Sequence, residues 1–568
     1  MMNTQLNISM LLERAEKYFP KKEIVSRTHS GIHRYTYDEF GKRTRQLADA
    51  LVKFGVKPGD KVGTLAWNDH RHLEAYFAIP SIGAVLHTIN IRLSEEHLIY
   101  IINNAEDKIL FVDEGLLPVV EKIKDDIPTV EQFVILTDQK ELPETTLQPV
   151  QLYEDFIKEG NKAFQFVENI TETEPAGMCY TSATTGNPKG VLYTHRSIVL
   201  HSMMICYADS LALSEQDIAM PVVPMFHVNA WGIPFAAVGL GTNLVLPGPN
   251  FNGQILAELI EQEKVTMTAG VPTIWIEVAK QLETGKYDTS SLTRVVCGGS
   301  AAPEGLIRKY EKEFNIPFLH AYGMTETSPI VTVSRLKSYQ EELPYDEQLK
   351  YISKQGLPVL GIEARVIGDD GEEVKHDGEQ MGELLLRGPW ITDEYYREPE
   401  KTKEAVQDGW LRTGDIVTMD EEGFVKIVDR TNDLIKSGGE WISSVDLENA
   451  LMAHDDIFEA TVISVPHDRW QERPVAAIVL KDGKETTEEE LREYLSERFA
   501  KWWIPDKDRK STKAPSIIKK TKSKKDFLNI LSDSNKTELL NADALSKDAM
   551  REHIQEWIIK NKIGGKIG

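Results

Sequence analysis

Helical and strand patterns of apolar and polar residues alternate along most of the chain. The run LSEEHLIYIINNAE, in which a helix is predicted to begin at Ser94, precedes the buried-strand pattern KILFVD. Residues 255–262 have a helical pattern and precede the strand and turn VTMTAGVP, and LTRVVCGGS is a strand that ends in a glycine turn. Alternating helices and strands predict an α/β fold with parallel sheets covered by helices. In such sheets ligands bind in the loops at the carboxyl ends of strands.

The pattern changes near residue 430. GFVKIVDRTNDLIKSGGEWIS contains a strand, a charged joint, a short strand and a glycine turn. A helix over residues 445–454, the strands ATVISVP and PVAAIVL, and the helix TTEEELREYLSERF follow it; Thr487 and Glu490 have capping-box spacing. We therefore predict a mixed α/β and α+β protein. A large multi-sheet α/β domain spans 1–429, a hinge spans 430–433, a small mobile α+β domain has its core at 434–506, and an atypical Lys-rich tail spans 507–568.

Composition narrows the class of protein. A chain of 568 residues is too long for one hydrophobic core, so at least two domains are expected. A net charge of −24 argues against non-specific nucleic-acid binding. The three cysteines lack metal-ligand spacing, the N-terminus lacks the pattern of a signal peptide, and no apolar run is long enough for a membrane span. We expect a cytoplasmic protein with reduced thiols.

Three short stretches have the chemistry of a nucleotide site. TSATTGNPKG offers hydroxyls, free backbone N–H groups and the Lys189 ammonium, which suit a phosphate chain, although Gly190 stands where the common phosphate loop has Ser or Thr. AYGMTETSP offers an aromatic face and the Glu326 carboxylate, which suits Mg²⁺. GWLRTGD offers Asp415, an acceptor for ribose hydroxyls. Each stretch alone also fits an ordinary polar turn.

In this order, YTSATTGNPKGV, AYGMTETSP, GWLRTGD and VDRTNDLIKSGGEW closely resemble the motifs of the acyl-adenylate-forming enzymes. The resemblance runs from about residue 10 to about 506. PMFHVNAWGIP and IKSGGEWISSVDLEN are most similar to the medium- and long-chain fatty acyl-CoA synthetases. The resemblance implies an AMP-forming ligase: a fatty acid and ATP give acyl-AMP and pyrophosphate, and CoA then gives acyl-CoA and AMP. It also implies rotation of the small domain between the two steps.

The resemblance further implies roles for individual residues. Those expected to hold ATP are Thr181, Ser182, Ala183, Thr184, Thr185, Gly186, Lys189, Gly299, Tyr322, Gly323, Thr325, Asp415, Arg430, Asn432 and Trp441. Mg²⁺ is expected at Thr181 and Glu326. The implied catalytic residues are Lys189, His227, Glu326 and Lys436, and the implied acyl-binding residues are Trp231 and Gly232.

The acyl site is also constrained by chemistry. Residues 226–234 contain no acid that would pair an amino-acid ammonium, and the following residues 235–239 are small or apolar. A pocket of this kind would select chain length at about 0.8 kcal/mol per CH₂. The alternative is that these residues only pack the interior.

Three departures from the family pattern stand out. Ala183 replaces a glycine of the loop, and Asn432 replaces the usual Lys or Asp of the hinge. The family's P-K-T-x-x-G-K, whose last lysine serves adenylation, has only the string KKTKSKK as its counterpart. Lys525 is one candidate substitute and Lys566 is a remote one. We therefore hypothesise a replaced tail and impaired adenylation.

Three functions remain open at this point. The first is a fatty acyl-CoA synthetase with fatty acid, ATP and CoA as partners and no nucleic acid; peripheral membrane contact and a homodimer are both compatible with it. The second passes the acyl group to a carrier protein. The third only binds acyl groups or nucleotide. A serine hydrolase is disfavoured because CGGSAAP lacks the G-x-S-x-G elbow.

Overall fold

The computed structural model describes residues 2–181, 187–431, 434–437, 440–467, 470–481, 484–505 and 517–521. The chain divides into two compact units. Among the described residues, unit 1 comprises 2–302, 306–364 and 386–412. Unit 2 comprises 303–305, 365–385 and the described residues from 413 onward. The hinge predicted at 430–433 includes two residues outside the described ranges and stays a prediction.

The α-helices are numbered in chain order. They are α1 Ile8–Tyr18, α2 Tyr37–Phe54, α3 His70–Ala78, α4 Glu95–Ala105, α5 Leu117–Ile123, α6 Tyr153–Lys158, α7 His195–Ile205, α8 Ile233–Leu240, α9 Gly253–Glu263, α10 Pro272–Leu282, α11 Glu304–Arg308, α12 Tyr345–Ile352, α13 Pro399–Ala405, α14 Ser444–Met452 and α15 Glu488–Ser496.

The strands are numbered in the same way. They are β1 Glu23–Arg27, β2 Ile32–Thr36, β3 Lys61–Leu65, β4 Val85–Thr88, β5 Asp107–Asp113, β6 Gln132–Leu136, β7 Val150–Leu152, β8 Pro175–Tyr180, β9 Gly190–Thr194, β10 Ile218–Pro221, β11 Asn243–Leu246, β12 Met267–Gly270, β13 Arg294–Cys297, β14 Phe318–Gly323, β15 Ile330–Val333, β16 Leu357–Pro358, β17 Glu363–Ile367, β18 Gly382–Arg387, β19 Val406–Gln407, β20 Trp410–Met419, β21 Val425–Arg430, β22 Ile435–Ser437, β23 Glu440–Ile442, β24 Ile457–His467, β25 Gln471–Leu480 and β26 Ile517–Thr521.

Two large sheets organise unit 1. One has nine strands in the order β16-β15-β14-β13-β12-β10-β11-β1-β2, and the other has seven in the order β7-β6-β5-β3-β4-β8-β9. The central strands of both sheets pair in parallel, as the alternation of helices and strands predicted. Antiparallel pairing occurs at the edges, including β8 with β9. Helices on these sheets bury two large apolar clusters, one beside each sheet.

Unit 2 contains a smaller sheet. Strands β23-β22-β25-β24 form one sheet, in which β24 and β25 make a long antiparallel pair and β26 runs parallel to β25. Helices α14 and α15 cover an apolar cluster on this sheet. A further five-stranded sheet of the chain has the order β17-β18-β20-β19, with β21 paired to β20.

The predicted N-terminal caps of helices α4 and α15 are confirmed. Ser94 caps α4 by accepting a hydrogen bond from the His97 N–H, and Thr487 and Glu490 form the predicted capping box of α15. The thiols of the three cysteines are free. Within the described ranges, no helix has both the length and the apolar character needed to cross a membrane.

Helix α3 is buried along its whole length although it carries charged residues. The Glu74 carboxylate is fully buried and accepts hydrogen bonds from Tyr35 (3.2 Å), Arg43 (2.7 Å) and Tyr153 (2.5 Å). A buried carboxylate is tolerated only when its oxygens are satisfied in this way. The network therefore joins α3 to β2, α2 and α6 through a single side chain.

Candidate active site

The predicted phosphate loop connects two antiparallel strands. Strand β8 ends at Tyr180 and β9 begins at Gly190, so the loop follows the carboxyl end of a strand, as expected. The Thr181 N–H donates to the Lys189 carbonyl (2.9 Å), and the Lys189 N–H donates to Thr181 Oγ1 (3.1 Å). These two bonds fix the base of the loop. Ser182, Ala183, Thr184, Thr185 and Gly186 lie outside the described residues, so their predicted roles stay predictions.

Lys189 and Glu326 meet at a tyrosine that the sequence analysis missed. The Lys189 ammonium donates to the Tyr395 hydroxyl (3.1 Å) and lies 4.2 Å from the centre of its ring. The same hydroxyl donates to Glu326 Oε1 (2.7 Å). Tyr395 is 5% exposed, and burial followed by the nearby Glu326 charge raises the pKa of its phenol. The structure thus brings two predicted catalytic residues from separate motifs to one point.

The motif that contains Glu326 begins in strand β14 of the nine-stranded sheet and extends into the turn after it. Tyr322 and Gly323 end β14, and Thr325 and Glu326 form the 3₁₀ turn that follows it. A side chain at Gly323 is excluded, because a Cβ there would lie 2.0 Å from the Pro329 carbonyl oxygen. The Tyr193 hydroxyl of β9 donates to the Thr325 carbonyl (2.8 Å). The phosphate-loop hairpin and the Glu326 turn are therefore directly hydrogen-bonded.

The oxygen donors in this region suit Mg²⁺. The metal is usually held by one or two carboxylates together with substrate phosphates and water. Glu326 supplies a buried carboxylate and Thr181 supplies a hydroxyl at the base of the loop. Among the described residues, no group of three His, Cys, Asp or Glu side chains forms a ready-made metal site. The donor set therefore fits a metal that arrives with ATP.

An unusual left-handed turn follows His227. Val228, Asn229, Ala230 and Trp231 have φ values of 45°, 53°, 48° and 57°, and Gly232 continues the turn at 73°. Each non-glycine residue in this conformation costs about 1–2 kcal/mol. Such strain is concentrated at functional sites, where surrounding contacts maintain it. Burial, with Arg92 as a smaller cause, lowers the pKa of His227 to about 4, so its imidazole is neutral near pH 7.

The turn places Trp231 against a second predicted motif. Trp231 is 7% exposed, and a Cβ built on Gly298 would lie 3.0 Å from its Cη2 atom. Gly298 and Gly299 follow β13, and Gly299 has φ +82°. The indole therefore needs the absence of a side chain at Gly298. Predicted acyl and nucleotide residues are brought together here in unit 1.

Two of the residues expected to line an acyl pocket make packing contacts in the interior. The Phe235 ring lies 5.0 Å from that of Tyr76, and a Cβ on Gly239 would lie 2.9 Å from a methyl carbon of Leu11. These contacts favour the packing alternative for this part of α8. Gly232 and Phe235 also border a small cavity. Its other lining residues are Tyr193, Ile198, His201, Asn229 and Ser328.

Gly232→Ala is expected to lower the free energy of unfolding by about 2 kcal/mol. Part of the loss comes from the positive φ, and the rest from a Cβ that would lie 2.7 Å from His201 Nδ1. Gly285→Ala is the matched control, because Gly285 has φ +65° and a Cβ added there would meet no atom within 4 Å. Urea unfolding should show a loss of only about 1 kcal/mol for the control. Equal losses in both variants would rule out the steric role of His201.

The stability contributed by His201 is expected to depend on pH. Burial lowers the pKa of His201 to about 3, and its Nε2 accepts a hydrogen bond from the Ile330 N–H (3.1 Å). Because the unfolded imidazole has a pKa near 6.5, the unfolded state binds more protons between these values. The stability is therefore present above about pH 6.5 and is lost as pH falls toward 3.

Between pH 7 and pH 5, the wild-type free energy of unfolding should fall by about 2 kcal/mol more than that of His201→Gln. Urea unfolding of both proteins at the two pH values measures this difference, and effects of other titrating groups cancel in the comparison. Parallel losses in the two proteins would show that His201 does not titrate as its burial requires.

Two residues missed by the sequence analysis, Asn68 and Tyr76, form hydrogen bonds to the segment that precedes the left-handed turn. The Asn68 amide donates to the carbonyls of Pro221 and Val223 (both 2.9 Å) and accepts from the Met225 N–H (2.7 Å). Tyr76 also donates to the Met225 carbonyl. These bonds fix the segment that leads into His227. An Asn after a strand is too common to have marked this role in the sequence.

In unit 2, two predicted nucleotide residues are cross-strand neighbours. Asp415 on β20 is paired in register with Arg430 on β21, and Arg430 Nε lies 3.7 Å from Asp415 Oδ1. The Asp415 side chain is 11% exposed, whereas that of Arg430 is 60% exposed. The Asp415 N–H donates to Thr413 Oγ1 (3.1 Å). A largely buried carboxylate beside an exposed guanidinium is suited to binding hydroxyl groups.

The predicted residues Lys436 and Trp441 form a second pair in unit 2. They face each other across β22 and β23, with the Lys436 ammonium 4.5 Å from the indole centre. The Lys436 N–H donates to Glu472 Oε2 (2.8 Å). The Arg473 guanidinium donates to Ser437 Oγ (3.1 Å) and to the Ile504 carbonyl (2.9 Å). Asn432, Lys525 and Lys566 lie outside the described residues.

Comparisons with known proteins identify the family of the chain. The family model described as AMP-binding enzyme matches residues 12–396, and the model described as AMP-binding enzyme C-terminal domain matches residues 446–525. The chain is 49% identical over 509 residues to a long-chain-fatty-acid--CoA ligase of Thermus thermophilus, covering 89% of this chain and 92% of the relative. It is 42% identical over 508 residues to a medium-chain-fatty-acid--CoA ligase of Ectopseudomonas oleovorans, covering 89% and 92%.

The fold is also found among solved structures. The crystal structure of the anthranilate CoA ligase AuaEII in complex with anthranoyl-AMP matches with a TM-score of 0.79 and 23% identity, covering 92% of this chain and 94% of that one. At this identity the likeness supports the fold alone. The family models and the high identity to the curated relatives lead to one conclusion: the chain belongs to the AMP-binding enzyme family.

Proposed function

We propose that the protein is a fatty-acid–CoA ligase that forms AMP. It activates a medium- or long-chain fatty acid with ATP and then transfers the acyl group to CoA. Among the structural observations, the convergence of Lys189 and Glu326 on the Tyr395 hydroxyl carries this proposal. It places a cation and a carboxylate from two motifs beside the loop expected to hold the phosphates. The ligase names of the relatives support the substrate class.

In the first proposed step, a carboxylate oxygen of the fatty acid attacks the α-phosphorus of ATP. The bond to the bridging oxygen breaks, and pyrophosphate leaves with its electron pair. The Lys189 ammonium and the N–H groups of the loop would offset the charge on the phosphates, and Glu326 would hold the metal that accompanies ATP. Mg²⁺, when bound, supplies charge neutralisation at the phosphates. His227, neutral at pH 7, is proposed to lie near the acyl carboxylate.

In the second proposed step, the CoA sulfur attacks the acyl carbon and the acyl–oxygen bond breaks, so that AMP leaves. Asp415, assisted by Arg430, is proposed to bind the ribose hydroxyls. Lys436 and Trp441 are proposed to contact the adenylate. Trp231 and Gly232 are proposed to border the acyl chain. The cytoplasmic location and the homodimer remain predictions.

The hypothesis of impaired adenylation is not favoured. The C-terminal family model extends through residue 525 and so includes the string KKTKSKK. The relatives named as CoA ligases also favour CoA over a carrier protein as acceptor. Lys525 stays the proposed substitute for the family lysine.

A paired assay tests the proposal. The full chain is incubated with MgATP and saturated fatty acids of increasing length, and pyrophosphate and acyl products are followed separately with CoA and with a phosphopantetheinyl carrier protein. We expect equal amounts of pyrophosphate, AMP and acyl-CoA, with little product on the carrier. Nucleotide binding without turnover in any mixture would contradict the ligase assignment.

Asp415→Asn is expected to raise the KM for ATP about tenfold, because an amide oxygen accepts more weakly than a carboxylate. The kcat should change less, since the ribose lies away from the reacting phosphorus. Asp408→Asn is the control: Asp408 has φ 52°, which Asn tolerates, and it is not assigned to the site. An unchanged KM in Asp415→Asn would remove Asp415 from the nucleotide site.

A further inference from the structure

Tyr395 separates a cation from an anion that would otherwise attract each other. Its hydroxyl accepts a hydrogen bond from the Lys189 ammonium (3.1 Å) and donates one to Glu326 Oε1 (2.7 Å). The hydroxyl therefore acts as an acceptor toward the cation and as a donor toward the anion. The ring adds a cation–π contact with the ammonium, whose nitrogen lies 4.2 Å from the ring centre.

The segment around Tyr395 is attached to both motifs by its backbone. The Thr392 N–H donates to the Glu326 carbonyl (2.8 Å), and the Tyr396 N–H donates to the Gly190 carbonyl (2.8 Å). The Tyr395 N–H donates to Thr402 Oγ1 (2.9 Å). With its side chain 5% exposed, Tyr395 has little freedom to leave this position. Backbone contacts on both sides thus fix the position of Tyr395 between Lys189 and Glu326.

The contact with Tyr395 leaves hydrogen-bonding capacity unused on both charged groups, because the ammonium has three donors and the carboxylate has two oxygens. Among the described residues, the Tyr395 hydroxyl is the hydrogen-bond partner of both the Lys189 ammonium and Glu326 Oε1. If the hydroxyl were absent, the ammonium and the carboxylate would be free to form a direct ion pair in a poorly solvated site. Such a pair would have to break before either group could bind MgATP.

We propose that Tyr395 is a positioning residue that keeps the Lys189 ammonium and the Glu326 carboxylate apart and ready to receive MgATP. The inference rests on the proposed function, because the two groups are assigned there to the phosphates and the metal. Tyr395→Phe removes the hydroxyl but keeps the ring and its cation–π contact. The variant should therefore bind the nucleotide less readily at low Mg²⁺ while its fold is retained.

Equilibrium binding without turnover tests the proposal. Titration calorimetry with α,β-methylene-ATP at a series of Mg²⁺ concentrations is carried out on the full-length wild type, Tyr395→Phe and Tyr396→Phe. We expect Tyr395→Phe to need about ten times more Mg²⁺ for half-maximal binding. Tyr396→Phe is the matched control, because the neighbouring ring lies near Lys61 and Arg397 rather than the site. A Tyr395→Phe curve that coincides with the wild type overturns the proposal.

A double-mutant cycle separates positioning from a general structural effect. If Tyr395 acts by restraining Lys189, the Mg²⁺ shift caused by Tyr395→Phe should shrink in the Lys189→Met background. A shift of the same size in both backgrounds overturns the proposal. Because Tyr395→Phe is present in both comparisons, a general loss of stability caused by that change would not explain a difference between the two shifts. Wild-type protein that binds the analogue but makes no acyl-CoA would defeat the proposed ligase function and leave the positioning role intact.

Discussion

Glu326→Gln is expected to slow pyrophosphate release by a factor of about 10²–10³, comparable to the loss of one strong electrostatic contact to a transition state. The carboxylate is 5% exposed and its Oε1 accepts from Tyr395 (2.7 Å). Glutamine keeps the shape and can still accept this hydrogen bond. The variant should therefore fold normally but lose the charge that is proposed to hold Mg²⁺ at the phosphates. Steady-state pyrophosphate release at saturating MgATP and fatty acid measures the effect.

Glu311→Gln is a closely matched control for this change. Its carboxylate also accepts a hydrogen bond from a tyrosine, Tyr345 (2.9 Å), but it is not assigned to the site. Its rate should stay within about twofold of the wild-type rate, which is the range expected away from the reacting atoms. A rate for Glu326→Gln in that same range would show that Glu326 is not the metal carboxylate.

Glu74→Ala is expected to lower the free energy of unfolding by about 3–5 kcal/mol, the usual loss on breaking a buried ion pair. The change leaves the hydroxyls of Tyr35 and Tyr153 and the Nε of Arg43 without their common acceptor. Arg43 retains two hydrogen bonds to Glu154, both of 2.9 Å, which limits the loss. Urea unfolding followed by tryptophan fluorescence measures the change.

Glu95→Ala provides the comparison for a glutamate in an exposed ion pair. Glu95 lies 2.8 Å from Lys122, and both side chains are more than half exposed. Its removal should cost less than about 1 kcal/mol, because solvent screens the pair. Similar losses in the two variants would mean that the Glu74 network contributes no more than a surface ion pair.

The sequence predicted the main architecture because its local signals agree with the final packing. The caps at Ser94 and Thr487 mark helix starts, and the loops after β8 and β13 follow the ends of parallel strands. The buried network of α3 was not predictable in the same way. Its charged residues resemble those of a surface helix, and tertiary contacts, including those of Glu74 with β2, α2 and α6, satisfy them.

Residues of the candidate site that lie in sequence motifs could be predicted, whereas features that depend on backbone conformation or tertiary contacts could not. Lys189, Glu326 and the two residue pairs of unit 2 were identified from ordered motifs. The left-handed turn at 228–232 was missed because only Asn229 and Gly232 are residue types that favour positive φ, while Val228, Ala230 and Trp231 disfavour it. Tyr395 was missed because the stretch DEYYREP has no motif of its own; two adjacent tyrosines among charged residues were the only available signal.

Attack of the fatty carboxylate on the α-phosphorus of ATP, before CoA enters, is the step on which the proposed reaction depends. Transfer of oxygen-18 from a labelled fatty acid detects this step, with AMP, pyrophosphate and phosphate analysed by mass spectrometry after complete conversion with MgATP and CoA. We expect one labelled oxygen in AMP for each acyl-CoA formed and none in pyrophosphate, because the attacking oxygen stays on phosphorus when the thioester forms. Label in inorganic phosphate together with ADP, or unlabelled AMP alongside acyl-CoA, would contradict an acyl-adenylate intermediate.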